Sequence, residues 1–290
     1  MHAPPPGPVC DDRRMSQLPS APLAGRRVVV TGVSRRAGIG HAIACLAADM
    51  GASLLLHHYS PHDAEQPWGA DSIEATMNSV RSHLAPGAVL EHLSEDLRDA
   101  QAPARVIERA HQALGGVDAL VCNQASSGHD GRLEDITAAD LDHHWQVGAR
   151  ASLLLLQAMA ALPDDRPGDA PAQGRARRSA VLMSSGQILG PMAEEIAYIT
   201  SKAALVGATS SLADGLADRG IRLNTVNPGP VNTGYMDAEL EQALAPAFPG
   251  GVPARPEDPA RLICWLLTDD AAWVTGQVIS AEGGFRRWGL

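Results

Sequence analysis

Tyr198 and Lys202 stand four residues apart in a segment of helical period, so a helix there brings both side chains to one side. A free tyrosine ionises near ~10, too high to exchange its proton readily at neutral pH. An ammonium beside it favours the phenolate and shifts that value down. Together the two make an acid/base couple. Ser185, thirteen residues before Tyr198, follows a short apolar run and can offer its hydroxyl to a substrate oxygen beside the phenol. Taken alone, a Tyr-x-x-x-Lys spacing arises often by chance. The elements around it must bring these groups to one place.

Those elements are legible from Arg26 onward. Short runs of Val, Leu and Ile alternate with longer Ala-rich segments of helical period. Residues 26–31, 53–58, 89–93, 119–122, 179–184, 223–227 and 278–281 read as seven strands. Continuous apolar runs suit strands covered on both faces, as in a parallel sheet. Residues 40–50, 70–84, 102–114, 138–162, 196–217 and 256–267 read as helices. The alternation predicts an α/β fold, a Rossmann-type doubly wound parallel sheet of about seven strands with helices on both faces, in a single domain. Such sheets bind ligands outside the carboxyl ends of their strands. Gly32, Asn123 and Ser185 all fall on that edge.

The first strand runs into Thr31-Gly32, and Gly38-Ile39-Gly40 opens the first helix. Glycines there let the backbone turn tightly and approach a pyrophosphate resting on the helix N-terminus. In dinucleotide sites an acid roughly 20 residues further on often holds the adenosine ribose. Here the second strand ends Leu56-His57-His58-Tyr59, with no carboxylate. Arg35 and Arg36, in the glycine loop, can pair with a 2′-phosphate. These residues point to NADP(H) over NAD(H). A solvated loop tip for the arginines and plain strand-end positions for the histidines stay open.

Composition bounds the rest. The net charge of −10 argues against a nucleic-acid partner. Aromatic residues make up only 3% against 45% hydrophobic, so aliphatic side chains and alanine fill the core. The four cysteines show no CxxC or metal-ligand spacing, and no metal is expected. Cys45, Cys122 and Cys264 sit among apolar neighbours and read as small buried hydrophobes in a reducing, cytoplasmic setting. No apolar run approaches the ~20 residues of a membrane span. Residues 1–23, with Pro4, Pro5, Pro6 and Pro8, read as a disordered leader without a signal peptide's apolar stretch. Either Met1 or Met15 can be the start. The domain then covers 24–290. Residues 59–69 are long for a strand-to-helix link, and 163–178 read as a mobile surface insertion or, alternatively, a basic patch at Arg175, Arg177 and Arg178.

Taken in order, Thr31-Gly32, Gly38-Ile39-Gly40, Asn123, Ser185, Tyr198-Ile199-Thr200-Ser201-Lys202, Asn227-Pro228-Gly229, Thr275-Gly276-Gln277 and Glu282-Gly283-Gly284 resemble the short-chain dehydrogenase/reductase family. More narrowly the chain is similar to 3-oxoacyl-carrier-protein reductase-like members, from Leu23 to the end. The resemblance implies an NADP(H)-dependent oxidoreductase that interconverts a ketone and a secondary alcohol. Tyr198 would give the proton, Ser185 would position the substrate oxygen, and Lys202 would lower the tyrosine pKa and hold the nicotinamide ribose. Cofactor contacts would come from Gly32, Ser34, Arg35, Arg36, Gly38, Ile39, Gly40, His58 and Tyr59. Asp96 and Leu97 would meet the adenine; Asn123, Gln124 and Ala125 follow the fourth strand; Pro228, Gly229, Val231 and Thr233 would hold the carboxamide. Gln187, Ile188 and Leu189 would wall the substrate site, with Tyr235 and Met236 from a lid at 234–253. Apolar helices at 138–162 and 196–217 suggest a homodimer or homotetramer.

Three departures stand out. Five residues separate Gly32 from Gly38 where the commoner family pattern has three, a spacing similar to the enoyl-reductase branch. The usual Asn-Asn-Ala-Gly run reads Cys122-Asn123-Gln124-Ala125. The asparagine that supports a water relay to the lysine is replaced by Gly148. A water in the space glycine leaves, or another side chain, takes its part, or proton relay is impaired. The competing reading is a catalytically impaired, reductase-like cofactor-binding protein, favoured by Gly148 and opposed by Ser185, Tyr198 and Lys202.

Overall fold

The computed structural model describes residues 21–163 and 177–288. Residues 1–20 of the expected leader, Cys10, and residues 164–176 of the expected insertion lie outside them. The apolar runs form β1 (Arg27–Val30), β2 (Ser53–His58), β3 (Leu90–Ser94), β4 (Ala119–Cys122), β5 (Arg178–Met183), β6 (Ile221–Asn227) and β7 (Val278–Ser280). All pair in parallel, in the order β3-β2-β1-β4-β5-β6-β7. The chain winds outward one way from β1 to β3 and the other way from β4 to β7. The reversal falls between β1 and β4, where a crevice opens at the carboxyl ends.

Period-two alternation builds one core on each face. Val28, Val30, Leu54 and Leu56 pack on one side with α1 (Ile39–Asp49) and the late helix Glu257–Leu267. Val29, Leu55 and Leu120 pack on the other, against Ala102–Leu114, Ala151–Ala161 and Ile196–Ala217. In chain order the remaining helices are α2 (Ser60–Ala64), α3 (Ile73–Arg81), α4 (Ala102–Leu114), α5 (Ala138–His144), α6 (Ala151–Ala161), α7 (Ile196–Ala217), α8 (Ala238–Leu244) and α9 (Glu257–Leu267). Cys45, Cys122 and Cys264 are buried. Among the described residues, no helix is long and apolar enough to cross a membrane.

Three local features depart from the sequence expectation. The helix expected at 138–162 is α5, a π-helical turn at Trp145–Arg150, and α6. The wide turn lies at Gly148, whose missing Cβ lets α7 approach closely. The long link after β2 folds as α2, and the lid region contains α8. Finally, β5 begins at Arg178, inside the expected insertion. That arginine is buried and donates to the carbonyls of Met159, Leu162 and Arg219, so it belongs to the core rather than to a surface patch.

Candidate active site

A cavity of about 840 Å³ opens along the carboxyl ends of the strands. Its floor is a backbone turn that tolerates no side chain. Gly32 has φ +72, and a Cβ there would stand 2.9 Å from Gln124 Cα. A Cβ on Gly40 would stand 2.6 Å from the Gly32 carbonyl oxygen and 2.7 Å from Asn123 Nδ2. Asn123 Nδ2 donates to the carbonyls of Thr31 (3.0 Å) and Gly32 (3.2 Å), joining the ends of β1 and β4. This cradle, at the N-terminus of α1, fits the diphosphate of a dinucleotide by the close approach it permits.

Of the expected cofactor residues, Gly32, Ser34, Arg35, Gly38, Ile39 and Gly40 line the cavity, as do Tyr59, Asp96, Leu97, Asn123, Gln124 and Ala125. Pro228, Gly229, Val231 and Thr233 line it from the loop after β6. Two do not reach it. Strand alternation turns His58 toward β3, where its Nε2 meets His92 Nδ1 at 3.0 Å. Burial, with His92 beside it, pulls His58 down to about 4. His57 faces the cavity instead: Gly32 N–H donates to its Nδ1 at 3.3 Å, and its Nε2 lies 2.9 Å from the Glu95 carbonyl. That pairing makes His57 a neutral imidazole with Nε2 protonated, and burial lowers its pKa in the same sense. Arg36 turns outward to Asp71, its backbone N–H donating to the carboxylate at 2.7 Å. Arg35 alone of the two lies over the cavity, stacked 4.9 Å from the Trp68 ring and donating to the Thr233 carbonyl.

The segment after β2, which sequence reading left as a link, covers part of this groove. Tyr59, Pro61, His62, Asp63, Glu65 and Trp68 all line it. His62 Nε2 accepts from the Ser127 N–H at 3.2 Å, tying the segment to the loop after β4.

At the other end Ser185, Tyr198 and Lys202 meet. Ser185 follows β5; Tyr198 and Lys202 sit one turn apart in α7. The Ser185 hydroxyl donates to Met192 Sδ at 3.8 Å and lies near enough to the phenol to pull its pKa down. Lys202 Nζ donates to the Met183 carbonyl at 3.0 Å and lies 5.8 Å from the centre of the Tyr198 ring. Burial pulls Lys202 down to about 8. Burial also pushes Tyr198 up to about 12, against the opposing pull of Ser185. Against the lowering expected from the ammonium, burial dominates here, because removing the phenolate from water outweighs a cation held at that distance. The phenol is therefore protonated and ready to donate.

Asp130, which no sequence signal singled out, holds α7 in place. Glu195, at the N-cap of α7, makes no side-chain cap. Asp130, from the loop after β4, takes that role: its carboxylate accepts from the N–H groups of Gly131 (2.9 Å), Ala197 (2.7 Å) and Tyr198 (2.8 Å). The residue before it, His129, has φ 51, the one non-glycine positive φ among the described residues. Left-handed backbone there costs on the order of 1 kcal/mol and aims Asp130 at the helix. His144, buried, donates to the Gly128 carbonyl at 2.9 Å and sets its ring edge-on to Tyr198, 6.0 Å between centres.

The expected substrate wall is partly different. Gly186–Ile188 forms a short 3-10 turn that leaves Ile188 and Leu189 facing solvent. Gln187 Nε2 turns back to Ser184 Oγ at 3.3 Å. None of the three lines the cavity; Gly186, Pro191, Met192 and Glu195 do. Tyr235 lines it, but Met236 is buried and does not, and Phe248 packs on Phe285 with ring centres 4.9 Å apart.

A family model described as Enoyl-(Acyl carrier protein) reductase matches residues 32–286. An uncharacterized oxidoreductase of Bacillus subtilis (strain 168), YjdA, is 34% identical over 89% of this chain and 96% of its own. A dehydrogenase/reductase from Sinorhizobium meliloti 1021 superposes with TM-score 0.75 at 31% identity, covering 91% of this chain and 96% of that one. A blue fluorescent protein from a metagenomic library, solved in complex with NADPH, superposes with TM-score 0.74 at 28% identity over 91% of this chain and 98% of its own. The chain belongs to the short-chain dehydrogenase/reductase family and is an oxidoreductase of that class.

Proposed function

We propose that this protein is an NADP(H)-dependent reductase that interconverts a ketone and a secondary alcohol. The convergence of the glycine cradle and the Ser185–Tyr198–Lys202 group on one cavity carries this reading. A bound nicotinamide would supply the hydride. Tyr198, protonated and beside Ser185, gives its proton to the carbonyl oxygen, while Ser185 holds that oxygen. Lys202, anchored on the Met183 carbonyl, holds the ribose beside the phenol. The preference for NADP(H) rests on the neutral His57 where a ribose-binding acid would stand, and on Arg35 above the groove. The relative solved with NADPH is consistent with it.

Exposed Leu141 and Trp145, beside α7, support pairing of α5 and α7 with a second copy, as a homodimer or homotetramer. We take the setting as cytoplasmic, residues 24–290 as one reductase domain, and 234–253 as its substrate lid. Isothermal titration with NADPH and NADH, followed by NADPH oxidation with a panel of ketones, tests the function. Tighter NADPH binding and turnover that falls about 100-fold or more in Tyr198→Phe, with NADPH binding retained, are expected. Tight cofactor binding without turnover of any ketone would overturn the reductase reading and leave a cofactor-binding protein.

A further inference from the structure

Glu195, an exposed residue, lines the cavity three residues before Tyr198, and among the described residues its carboxylate has no hydrogen-bond donor or cation of its own. This follows from the way α7 is capped. The N-cap position is Glu195, but Asp130 already satisfies the N–H groups of Ala197 and Tyr198, so the Glu195 carboxylate is free to face the cavity. The charged groups nearby are otherwise engaged. Glu194 pairs with Arg132, and Asp130 is saturated by three backbone donors. Arg287, on the facing wall, is held by Glu282, with Nη1 to Oε2 at 2.6 Å. Lys202, the other cation at this end, is anchored on the Met183 carbonyl, so among the described residues no cation pairs with Glu195. Glu195 lines the same cavity as Tyr198 and Tyr235, one helical turn before the phenol, and its charge acts on both phenols in the upward sense.

An unpaired carboxylate losing water on substrate binding requires a donor in return. A site built to hydrogen-bond a substrate group rejects analogues that lack it, and a like charge is rejected more strongly. We propose that Glu195 selects the substrate: the preferred compound carries a hydroxyl or ammonium group close to its carbonyl carbon, and keto acids are refused. This rests on the reductase reading above. The reaction itself is unaltered: hydride from NADPH to the carbonyl carbon, proton from Tyr198 to the oxygen, leaving alcohol and NADP⁺.

Four matched probes test it: 3-hydroxy-2-butanone, 3-amino-2-butanone, 2-butanone and 2-oxobutanoate. Each is assayed with the natural protein, Glu195→Ala and Glu195→Gln, and kcat/KM ratios are read within each protein so that any general loss cancels. In the natural protein both donor-bearing ketones exceed 2-butanone by about tenfold or more, and 2-oxobutanoate is poorest. In Glu195→Ala the ratios fall to within about threefold of unity. In Glu195→Gln the amino compound's advantage over 2-butanone falls further than the hydroxy compound's, and 2-oxobutanoate improves. Flat ratios in the natural protein, ratios unchanged in Glu195→Ala, or a preference for 2-oxobutanoate would overturn the assignment. Titration of the same probes into the protein–NADP⁺ complex reads the ratios without turnover. The expected binding order with no turnover overturns the reductase reading alone; turnover with flat ratios overturns the Glu195 assignment alone.

Discussion

A Cβ on Gly148 would stand 2.1 Å from the hydroxyl oxygen of Ser201. That hydroxyl donates to the His144 carbonyl at 3.0 Å, and Ser152 Oγ donates to the Gly148 carbonyl at 2.6 Å. The room that the sequence led one to expect at Gly148 is filled by α7. An asparagine cannot be restored there without displacing the residue next to Lys202. Gly148→Ala should therefore destabilise the protein by about 1–3 kcal/mol, read as a lowered Tm or urea midpoint. Gly148→Asn should lose kcat rather than gain it. The pair Gly148→Ala with Ser201→Ala should recover most of the stability, since the Ser201 Cβ is 3.3 Å away and can yield slightly. An unchanged midpoint in Gly148→Ala would show that Ser201 moves at no cost.

Lys202 sets a pH dependence. Its pKa is pulled down to about 8 by burial, from an ordinary 10.5. Below about 8 the folded protein carries the ammonium; above it the amine is neutral. If the ammonium holds the cofactor, NADPH affinity falls as pH rises through that value, and the fall is absent in Lys202→Met. The stability effect runs the other way. Between about 8 and 10.5 the unfolded chain holds a proton on this lysine that the folded chain has lost, so its contribution to stability rises with pH across that window. Thermal melts of the two proteins across that window, taken as a difference, check the sign.

On the proposed mechanism, Asp130 positions Tyr198, the proton donor. Asp130→Ala removes two charge-assisted bonds at the start of α7, with a third to Gly131 in its own loop, and lets Tyr198 shift. We expect kcat to fall roughly 10- to 100-fold, with NADPH affinity changed far less. The solvent isotope effect on kcat should grow, because proton delivery becomes slower. Asp130→Asn keeps one acceptor oxygen and should fall between. Equal losses of kcat and cofactor affinity would point to general disruption instead.

If the protein prefers NADP(H) as proposed, Arg35 is the cation that would carry that preference, since Arg36 is turned to Asp71. Arg35→Ala should reduce the NADPH-over-NADH affinity ratio about tenfold, and Arg36→Ala should leave it within about twofold. Equilibrium titration of both cofactors with each variant decides the point. A ratio that follows Arg36 would reverse the assignment.

The sequence determined the strands and their parallel order, because runs such as Val28-Val29-Val30 and Leu54-Leu55-Leu56 carry both faces of a covered sheet in their own residue types. It also determined the meeting of Ser185, Tyr198 and Lys202, since strand ends and a helical turn are local geometry repeated along a doubly wound chain. Tertiary structure decided the rest. Whether His57 or His58 faces the groove depends on strand register, where a shift of one residue exchanges the faces. Arg35 and Arg36 are chemically alike and adjacent, and only the positions of Trp68 and Asp71, brought in from the folded link after β2, separate them. Asp130 is 68 residues from the Tyr198 N–H that it receives, and no local pattern marks such a pairing. The closed space at Gly148 is made by a different helix, so a glycine read along the chain as room was, in three dimensions, a point of contact.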